Sequence, residues 1–180
     1  MYEREIQSIK NGDVGIMPTD TIYGIACSAL NPAAVKRVYA LKGRDTTKPP
    51  IVLISSKETL TLFGIRREEF EAEFAKYWPG PTTLVLPCAD ERFSYLHRGT
   101  GGIAFRLPAP VWLSEFLKGS GPVIAPSAIP QGLSPARNVA EAKSYFGDRV
   151  DFYIDRGETM GKPSSILSLL PHEWGRVIRA

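Results

Sequence analysis

The hydrophobic and polar positions of the chain follow two different periods, which predict interleaved helices and strands. Residues 3–10 form an amphipathic pattern that stops at Asn11-Gly12, so a short helix is predicted there. Val14 to Met17 is a continuous apolar run, which is typical of a buried strand. A second helix is predicted to begin at Asn31, because asparagine is a favourable N-cap and Pro32 suits the first helical position.

The rest of the chain continues this exchange between apolar runs and helical patterns. Further strands are predicted at 49–54, 82–86, 103–106, 123–125, 152–154, 165–170 and 176–178, and further helices at 56–63, 67–77, 110–117 and 139–146. Helices and strands alternate at first, whereas pairs of strands follow later. This order favours an α/β fold with a twisted, mixed parallel and antiparallel sheet. No internal repeat or linker is evident, so a single domain over residues 1–180 is expected.

Composition narrows the class of protein without identifying it. The 180 residues are 43% hydrophobic and 23% charged, as in globular proteins that bury a real core. The net charge of +3 is too small to indicate nucleic-acid binding by itself. Two distant cysteines and two histidines argue against a zinc site or a disulfide framework. Since no apolar run has the length of a signal core or a membrane span, we expect a cytoplasmic protein with no membrane association.

A dense group of polar side chains follows the first predicted strand. After Pro18, two hydroxyls, a carboxylate and a phenol fall within Thr19 to Tyr23. Such polarity at the end of a buried strand suits a ligand site better than a core. Arg106 and Ser127 also end apolar runs, where ligands of α/β sheets commonly gather. A partner carboxylate for Arg106 and a turn or capping role for Ser127 remain open alternatives.

Three cations, Lys42, Arg44 and Lys48, lie close together after the second predicted helix. Such a segment can present positive charge to a polyphosphate from several directions. A solvated helix end, where cations also interact with the helix dipole, is an equally simple explanation of the spacing. The common nucleotide-binding loops are missing, since 157–163 is too short for a Walker A loop and 99–102 precedes a strand instead of a helix.

Five short motifs occur in a fixed order along the chain. They are PTDTIYG at 18–24, KGR at 42–44 with KP at 48–49, PGPTT at 79–83, RLP at 106–108 and APSA at 125–128. Each motif is modest alone, but the ordered set resembles the YrdC-like family, whose best-known members are threonylcarbamoyl-AMP synthases. The similarity extends from Ile6 to Arg179, which is essentially the whole chain.

The resemblance implies a mixed sheet with flanking helices around a basic cavity, the YrdC-like fold. It implies that L-threonine, bicarbonate and ATP yield threonylcarbamoyl-adenylate and pyrophosphate, and that partner proteins then form N6-threonylcarbamoyladenosine in tRNA. Mg²⁺ would be carried by the ATP phosphates, with no metal ligand from the protein. By similarity, the residues expected to bind threonine are Thr19, Tyr23, Arg106, Ser127 and Ser164. Asp20 is expected to shape the threonine end of the cavity. ATP binding falls to Lys42, Arg44, Lys48 and Arg179, of which Lys42 and Arg44 are also the expected catalytic residues.

The sequence departs from the family pattern at five positions, one of which is Gln131, where a serine usually precedes the glycine. The usual Ser-x-Asn is replaced by Ser127-Ala128-Ile129, and an isoleucine cannot make the hydrogen bonds of an amide. Leu53, Arg137 and Ser168 stand where a histidine, a small hydroxyl residue and an aspartate are common. An alternative function therefore stays open. It is a diverged protein, comparable to the YciO-type branch, that binds nucleotide, tRNA or double-stranded RNA without synthase activity.

Overall fold

The protein has an α/β fold, in a computed structural model that describes residues 2–43, 48–129 and 133–180. Within those residues the α-helices are α1 (Glu3–Asn11), α2 (Pro32–Lys42), α3 (Glu71–Tyr77), α4 (Ser94–His97), α5 (Val111–Ser120) and α6 (Val139–Phe146). The strands are β1 (Gly15–Pro18), β2 (Tyr23–Ser28), β3 (Ile51–Leu53), β4 (Thr82–Pro87), β5 (Gly102–Arg106), β6 (Val123–Ile124), β7 (Phe152–Tyr153), β8 (Ser165–Ser168) and β9 (Val177–Arg179). Short 3-10 helices occupy Lys57–Phe63, Arg67–Phe70, Glu91–Phe93 and Gly147–Arg149.

The strands form one mixed sheet in the order β7-β1-β2-β6-β3-β5-β4-β8-β9. Parallel pairs join β1 to β7, β3 to β5 and β4 to β8, and the other neighbours are antiparallel. The antiparallel pair of β8 and β9 confirms the strand pair predicted at the end of the chain. The predicted fold class, a mixed α/β sheet with flanking helices, is therefore confirmed.

Helix α2 begins where its sequence predicts. The Asn31 side chain accepts a hydrogen bond of 3.1 Å from the Ala34 N–H, and Pro32 occupies the first turn. The helix ends at Gly43, whose left-handed φ of 56° favours glycine. Because α2 ends there, Lys42 lies in its last turn with its side chain directed into the cavity described below.

Strand β2 is the largest difference between the structure and the sequence-based expectation, which includes no strand there. Five of its six residues are buried, so the strand shows no alternation between a core face and a solvent face. Gly24 lies where β2 passes close to the backbone that follows β6, which leaves no room for a side chain. A Cβ at Gly24 would lie 2.9 Å from the carbonyl oxygen of Ala125. β2 lies between β1 and β6 in the sheet. The polar segment that joins β1 to β2 is therefore held at the end of two paired strands.

Candidate functional site

A cavity of 450 Å³ opens where several strands end. Seven of the nine site residues predicted from the sequence lie in its walls: Thr19, Lys42, Lys48, Arg106, Ser127, Ser164 and Arg179. Among the described residues that line the cavity, four are lysine or arginine and none is acidic. The cavity is therefore basic, as the family resemblance implies, and its charge favours anionic ligands. The eighth predicted residue, Arg44, lies outside the described residues.

The turn between β1 and β2 is closed by the Thr19 side chain. The Thr19 hydroxyl donates a hydrogen bond of 2.8 Å to the Ile22 carbonyl and accepts bonds from the N–H groups of Thr21 and Ile22. The Thr19 N–H donates to the same Ile22 carbonyl at 3.1 Å. Thr19 therefore fixes the path of the turn, and its contact with threonine stays a prediction.

Thr21 is a cavity residue that the sequence-based assignment missed. Its hydroxyl oxygen lies 2.9 Å from that of Thr19. Whichever of the two hydroxyls donates this bond, it uses at most one of the two lone pairs of the Thr21 oxygen. The Thr21 oxygen thus keeps a lone pair for a donor on a ligand. Two threonines flank Asp20 in the sequence, and no sequence signal indicates which hydroxyl is engaged within the turn.

Arg106 ends β5 and forms a buried ion pair with Asp20. An Arg106 Nη2 nitrogen lies 2.9 Å from an Asp20 carboxylate oxygen, and the two side chains are 4% and 6% exposed. Burial raises the pKa of Asp20, against the opposing effect of the Arg106 charge. Burial likewise lowers the pKa of Arg106, and Asp20 opposes that shift. Despite the short distance, neither Asp20 oxygen nor Arg106 Nε has a well-oriented hydrogen bond among the described residues.

Ser164 joins two residues to which the resemblance gives different ligands. Its buried hydroxyl lies 2.9 Å from the Thr83 hydroxyl. Arg179 donates to the Ser164 carbonyl at 2.7 Å and to its hydroxyl at 3.0 Å. Ser164 is assigned to threonine and Arg179 to ATP, so these two predicted subsites are in direct contact.

Lys42 and Ser127 make a second contact between the predicted subsites. The ammonium of Lys42, a residue only 7% exposed, donates to the Ser127 carbonyl. Lys48 is exposed at the rim, and its carbonyl accepts a hydrogen bond from the Tyr39 hydroxyl. These contacts place the ammonium of Lys42 in the cavity and hold the backbone of Lys48 beside it.

Tyr23, the ninth predicted residue, is fully buried and is not among the described residues that line the cavity. Its hydroxyl donates a hydrogen bond of 2.8 Å to the Gly157 carbonyl. Burial raises the pKa of this phenol, so it stays a neutral donor at ordinary pH. Tyr23 thereby ties β2 to the segment before β8, and its part in threonine binding stays a prediction.

Of the five departures from the family pattern, Gln131 lies outside the described residues, and among the other four only Ile129 belongs to the cavity walls. Leu53 is fully buried in a hydrophobic cluster with Met17 and Phe116. Arg137 pairs at the surface with Glu141 and Glu158. Ser168 is fully buried, and its hydroxyl accepts a hydrogen bond from the Leu170 N–H. Among the described residues, Ile129 is therefore the departure that lies in the cavity wall.

No group of three or more His, Cys, Asp or Glu side chains in residues 2–43, 48–129 and 133–180 is arranged to hold a metal ion. The part of the chain that the structure describes also contains no helix long and apolar enough to cross a membrane.

Comparisons with known proteins find similarity along nearly the whole chain. The Sua5–YciO–YrdC family model, described as "Telomere recombination", matches residues 7–180. Threonylcarbamoyl-AMP synthase of Pyrococcus abyssi is 35% identical over 174 residues, which cover 94% of this chain and 50% of that protein. The synthase of Thiobacillus denitrificans is 30% identical over 96% of this chain and 91% of its own length.

A solved structure is similar as well. The crystal structure of P. abyssi Sua5 complexed with L-threonine superposes with a TM-score of 0.84 at 32% identity. The match covers 92% of this chain and 50% of that one. The chain thus spans about half the length of the Pyrococcus protein and most of the Thiobacillus protein.

Proposed function

Because the chain belongs to the Sua5–YciO–YrdC family, we propose that it is a threonylcarbamoyl-AMP synthase, a nucleotidyltransferase. The observation that carries this proposal is the content of the 450 Å³ cavity. One buried guanidinium suits a carboxylate, and three further cations in the same walls suit a polyphosphate. Similarity to proteins named threonylcarbamoyl-AMP synthase gives independent support.

The reaction needs two substrates side by side more than it needs a protein nucleophile. The threonine amine takes up the carbon of bicarbonate as a carbamate, with loss of water. A carbamate oxygen then attacks the α-phosphorus of ATP, and the bond to the bridging oxygen breaks to release pyrophosphate. Positioning and neutralisation of charge on the leaving group supply most of the catalysis in such transfers. The contacts between Lys42 and Ser127 and between Arg179 and Ser164 suit this arrangement.

On the amino-acid side, we assign the α-carboxylate of threonine to Arg106, because its planar guanidinium can donate two parallel hydrogen bonds. Thr21 offers an acceptor to the amine or the hydroxyl of the substrate. Ser127 and Ser164 supply further polar contacts, with Thr19 and Tyr23 holding the surrounding backbone. Each of these assignments is part of the proposal.

On the nucleotide side, the phosphates are assigned to Lys42, Lys48 and Arg179, together with Arg44 as an expectation from the sequence alone. Mg²⁺ would enter with ATP. The adenylate is an activated acyl donor, so we propose that partner proteins transfer it to an adenosine of tRNA. We place this reaction in the cytoplasm.

Pyrophosphate release tests the proposal. The chain is incubated with ATP, magnesium, L-threonine and bicarbonate, and each component is omitted in turn. We expect release that requires threonine and bicarbonate together. Release by folded protein that is independent of threonine, or no release at all, would overturn the proposal.

Ile129 favours a second candidate function, that of a nucleotide-binding or RNA-binding relative without synthesis. An isoleucine in the cavity wall leaves a polar ligand group without the hydrogen bonds of an amide. Such a protein would bind tRNA or double-stranded RNA through its cations, with affinity that falls steeply as salt rises. Salt-insensitive binding, or none, would exclude this candidate.

A further inference from the structure

The ion pair between Asp20 and Arg106 has a buried carboxylate that the proposed chemistry does not use. Arg106 lines the cavity, whereas Asp20 is a described residue that does not. Of the two members of the ion pair, only the guanidinium residue therefore belongs to the cavity wall. Among the described residues, Asp20 is the only carboxylate within ion-pair distance of Arg106.

Asp20 is held in place by its neighbours in the sequence. The residue before it, Thr19, closes the turn through bonds to Thr21 and Ile22, so the backbone of Asp20 has little freedom. The backbone of Arg106 is fixed as well. It pairs with Leu53 across the parallel β3–β5 ladder, and its carbonyl accepts a hydrogen bond of 3.0 Å from the Ile54 N–H. Two rigid backbones thus hold the two charges at a set separation.

The backbone of Arg106 does not by itself fix the orientation of its guanidinium. The guanidinium stands at the end of a long side chain with several rotatable bonds. Arg179 on β9 is close enough to lower the pKa of Arg106 by repulsion, after the larger effect of burial. Without a carboxylate paired with it, the Arg106 side chain would turn away from this like charge or admit water.

We infer that Asp20 is a positioning residue that holds the Arg106 guanidinium in the orientation required by an incoming α-carboxylate. Asp20 thereby makes the cavity selective for amino acids with a free carboxylate. This inference rests on the proposed function, since it takes an amino acid as the ligand. It assigns Asp20 no contact with substrate. The opposite arrangement, in which Asp20 competes with the ligand for Arg106, predicts the opposite effect of removing its charge.

Discrimination between L-threonine and L-threoninamide separates these arrangements. The amide has the same shape and lacks the carboxylate charge. Isothermal calorimetry on the full chain measures the ratio of the two dissociation constants. In the wild type, a charge-assisted pair at Arg106 predicts about tenfold or greater preference for threonine. In Asp20→Asn, we expect both ligands to bind within about threefold of one another, because Arg106 has lost its orientation.

Three variants control this result. Asp151→Asn removes a carboxylate from the Arg37 ion pair, which lies outside the cavity walls, and the preference should be unchanged. Asp20→Glu keeps the charge and should restore the preference that Asp20→Asn loses. Asp20→Ser opens space for water beside Arg106, so it replaces Asp20→Asn if that variant does not fold.

Two results would overturn the inference. A folded neutral variant with the wild-type preference would show that Asp20 only stabilises the fold, and a larger preference would show that it competes with the ligand. Failure of the proposed function is distinguishable from both outcomes. In that case the wild type itself binds no threonine or makes no distinction between the two ligands, and the inference falls with it.

Discussion

Two groups of side chains, in the cavity wall or paired with it, hold positive charge by different means. We call the first the guanidinium cluster, which consists of Asp20, Arg106, Ser164 and Arg179. We call the second the lysine cluster, which consists of Lys42, Lys48, Ser127 and Ile129. In the guanidinium cluster, a buried carboxylate faces Arg106, and a serine accepts two bonds from Arg179. In the lysine cluster, Lys42 meets the neutral Ser127 carbonyl, and Lys48 is exposed.

This difference indicates that Arg106 and the two lysines suit different ligand groups, whereas Arg179 and Ser127 lie where the two predicted subsites meet. A guanidinium fixed by a paired carboxylate gives a planar donor of defined direction, which selects a carboxylate. Ammonium groups on long side chains are point charges, which adapt to the several oxygens of a polyphosphate. The departure that faces the cavity, Ile129, falls in the lysine cluster. The amino-acid side is therefore the better conserved in chemistry relative to the family pattern.

Removal of the Arg106 guanidinium should have the largest effect. Arg106→Gln deletes the proposed carboxylate partner and leaves Asp20 buried without a counter-ion. We expect about 3–5 kcal/mol of lost stability by chemical denaturation, which is typical of breaking one half of a buried pair. Threonine-dependent pyrophosphate release by the folded fraction should fall about 100-fold, because a charged hydrogen-bond partner is lost.

Arg176→Gln is the matched control, since Arg176 pairs with Glu173 at the surface. It should change the stability by about 0.5 kcal/mol or less. Full threonine-dependent activity in Arg106→Gln would show that the Arg106 guanidinium is not needed to bind threonine.

Removal of the Lys42 ammonium should have the next largest effect, on ATP in particular. Lys42→Met keeps much of the aliphatic volume of this nearly buried side chain. We expect pyrophosphate release to fall about tenfold or more, with a higher half-saturating concentration of ATP, because a charge on the phosphates is lost. Steady-state rates against ATP and threonine test the two sides separately. An equal rise in the half-saturating concentration of threonine would contradict a division between the clusters.

Replacement of Ile129 should have a smaller effect of the opposite sign. Ile129→Asn supplies an amide in the cavity wall, and one added hydrogen bond predicts about a two- to tenfold gain in turnover. Ile129→Leu is the control, since it preserves volume without adding polarity. If turnover is unchanged or lower in Ile129→Asn while Ile129→Leu remains active, the polarity of this wall position does not limit the reaction.

The pH dependence of stability should show the smallest effect. It distinguishes the buried carboxylate of Asp20 from the half-exposed carboxylate of Asp151, because their pKa values shift in opposite directions. The hydrogen bond from Arg37 lowers the pKa of Asp151 below its ordinary value of 3.8. Its stabilisation is thus fully present above pH 3.8 and is lost as the pH falls through the folded-state pKa. Asp20 has a raised pKa, so its titration reduces stability as the pH rises from 3.8 to the folded-state value.

Denaturation of the wild type, Asp151→Asn and Asp20→Asn between pH 3 and pH 7 measures these contributions. The difference between the wild type and Asp151→Asn should shrink at the acid end. A difference that grows as the pH falls would contradict the assigned direction for Asp151.

Sequence patterns predicted the helices well wherever a local signal, such as a capping residue, marks where the helix begins or ends. Asn31 and Pro32 fix the start of α2, and the run 139–146 matches α6 at both ends. Strand β2 was missed because Gly24 and Ser28 leave only three consecutive apolar residues between them, a run shorter than the one that predicted β1. Local patterns contain no information about which strands lie next to one another in the sheet.

The site followed from the sequence only in part. The family resemblance identified seven residues that line one cavity, five of them within the ordered motifs. The engagement of the Thr19 hydroxyl within its own turn, and the ion pair that Arg106 forms with Asp20 across the chain, depend on three-dimensional distances. A sequence names such residues without showing which of them bind one another and which are left for a ligand.

The most direct test of the two-substrate cavity is the identity of its product. The chain is incubated with ATP, L-threonine and ¹³C-bicarbonate, and the nucleotide products are analysed by mass spectrometry. We predict an AMP adduct that contains both threonine and the bicarbonate carbon, formed in equal amount to pyrophosphate. Pyrophosphate formed with an adduct that lacks either threonine or the labelled carbon would contradict the account, as would the absence of any adduct with folded protein.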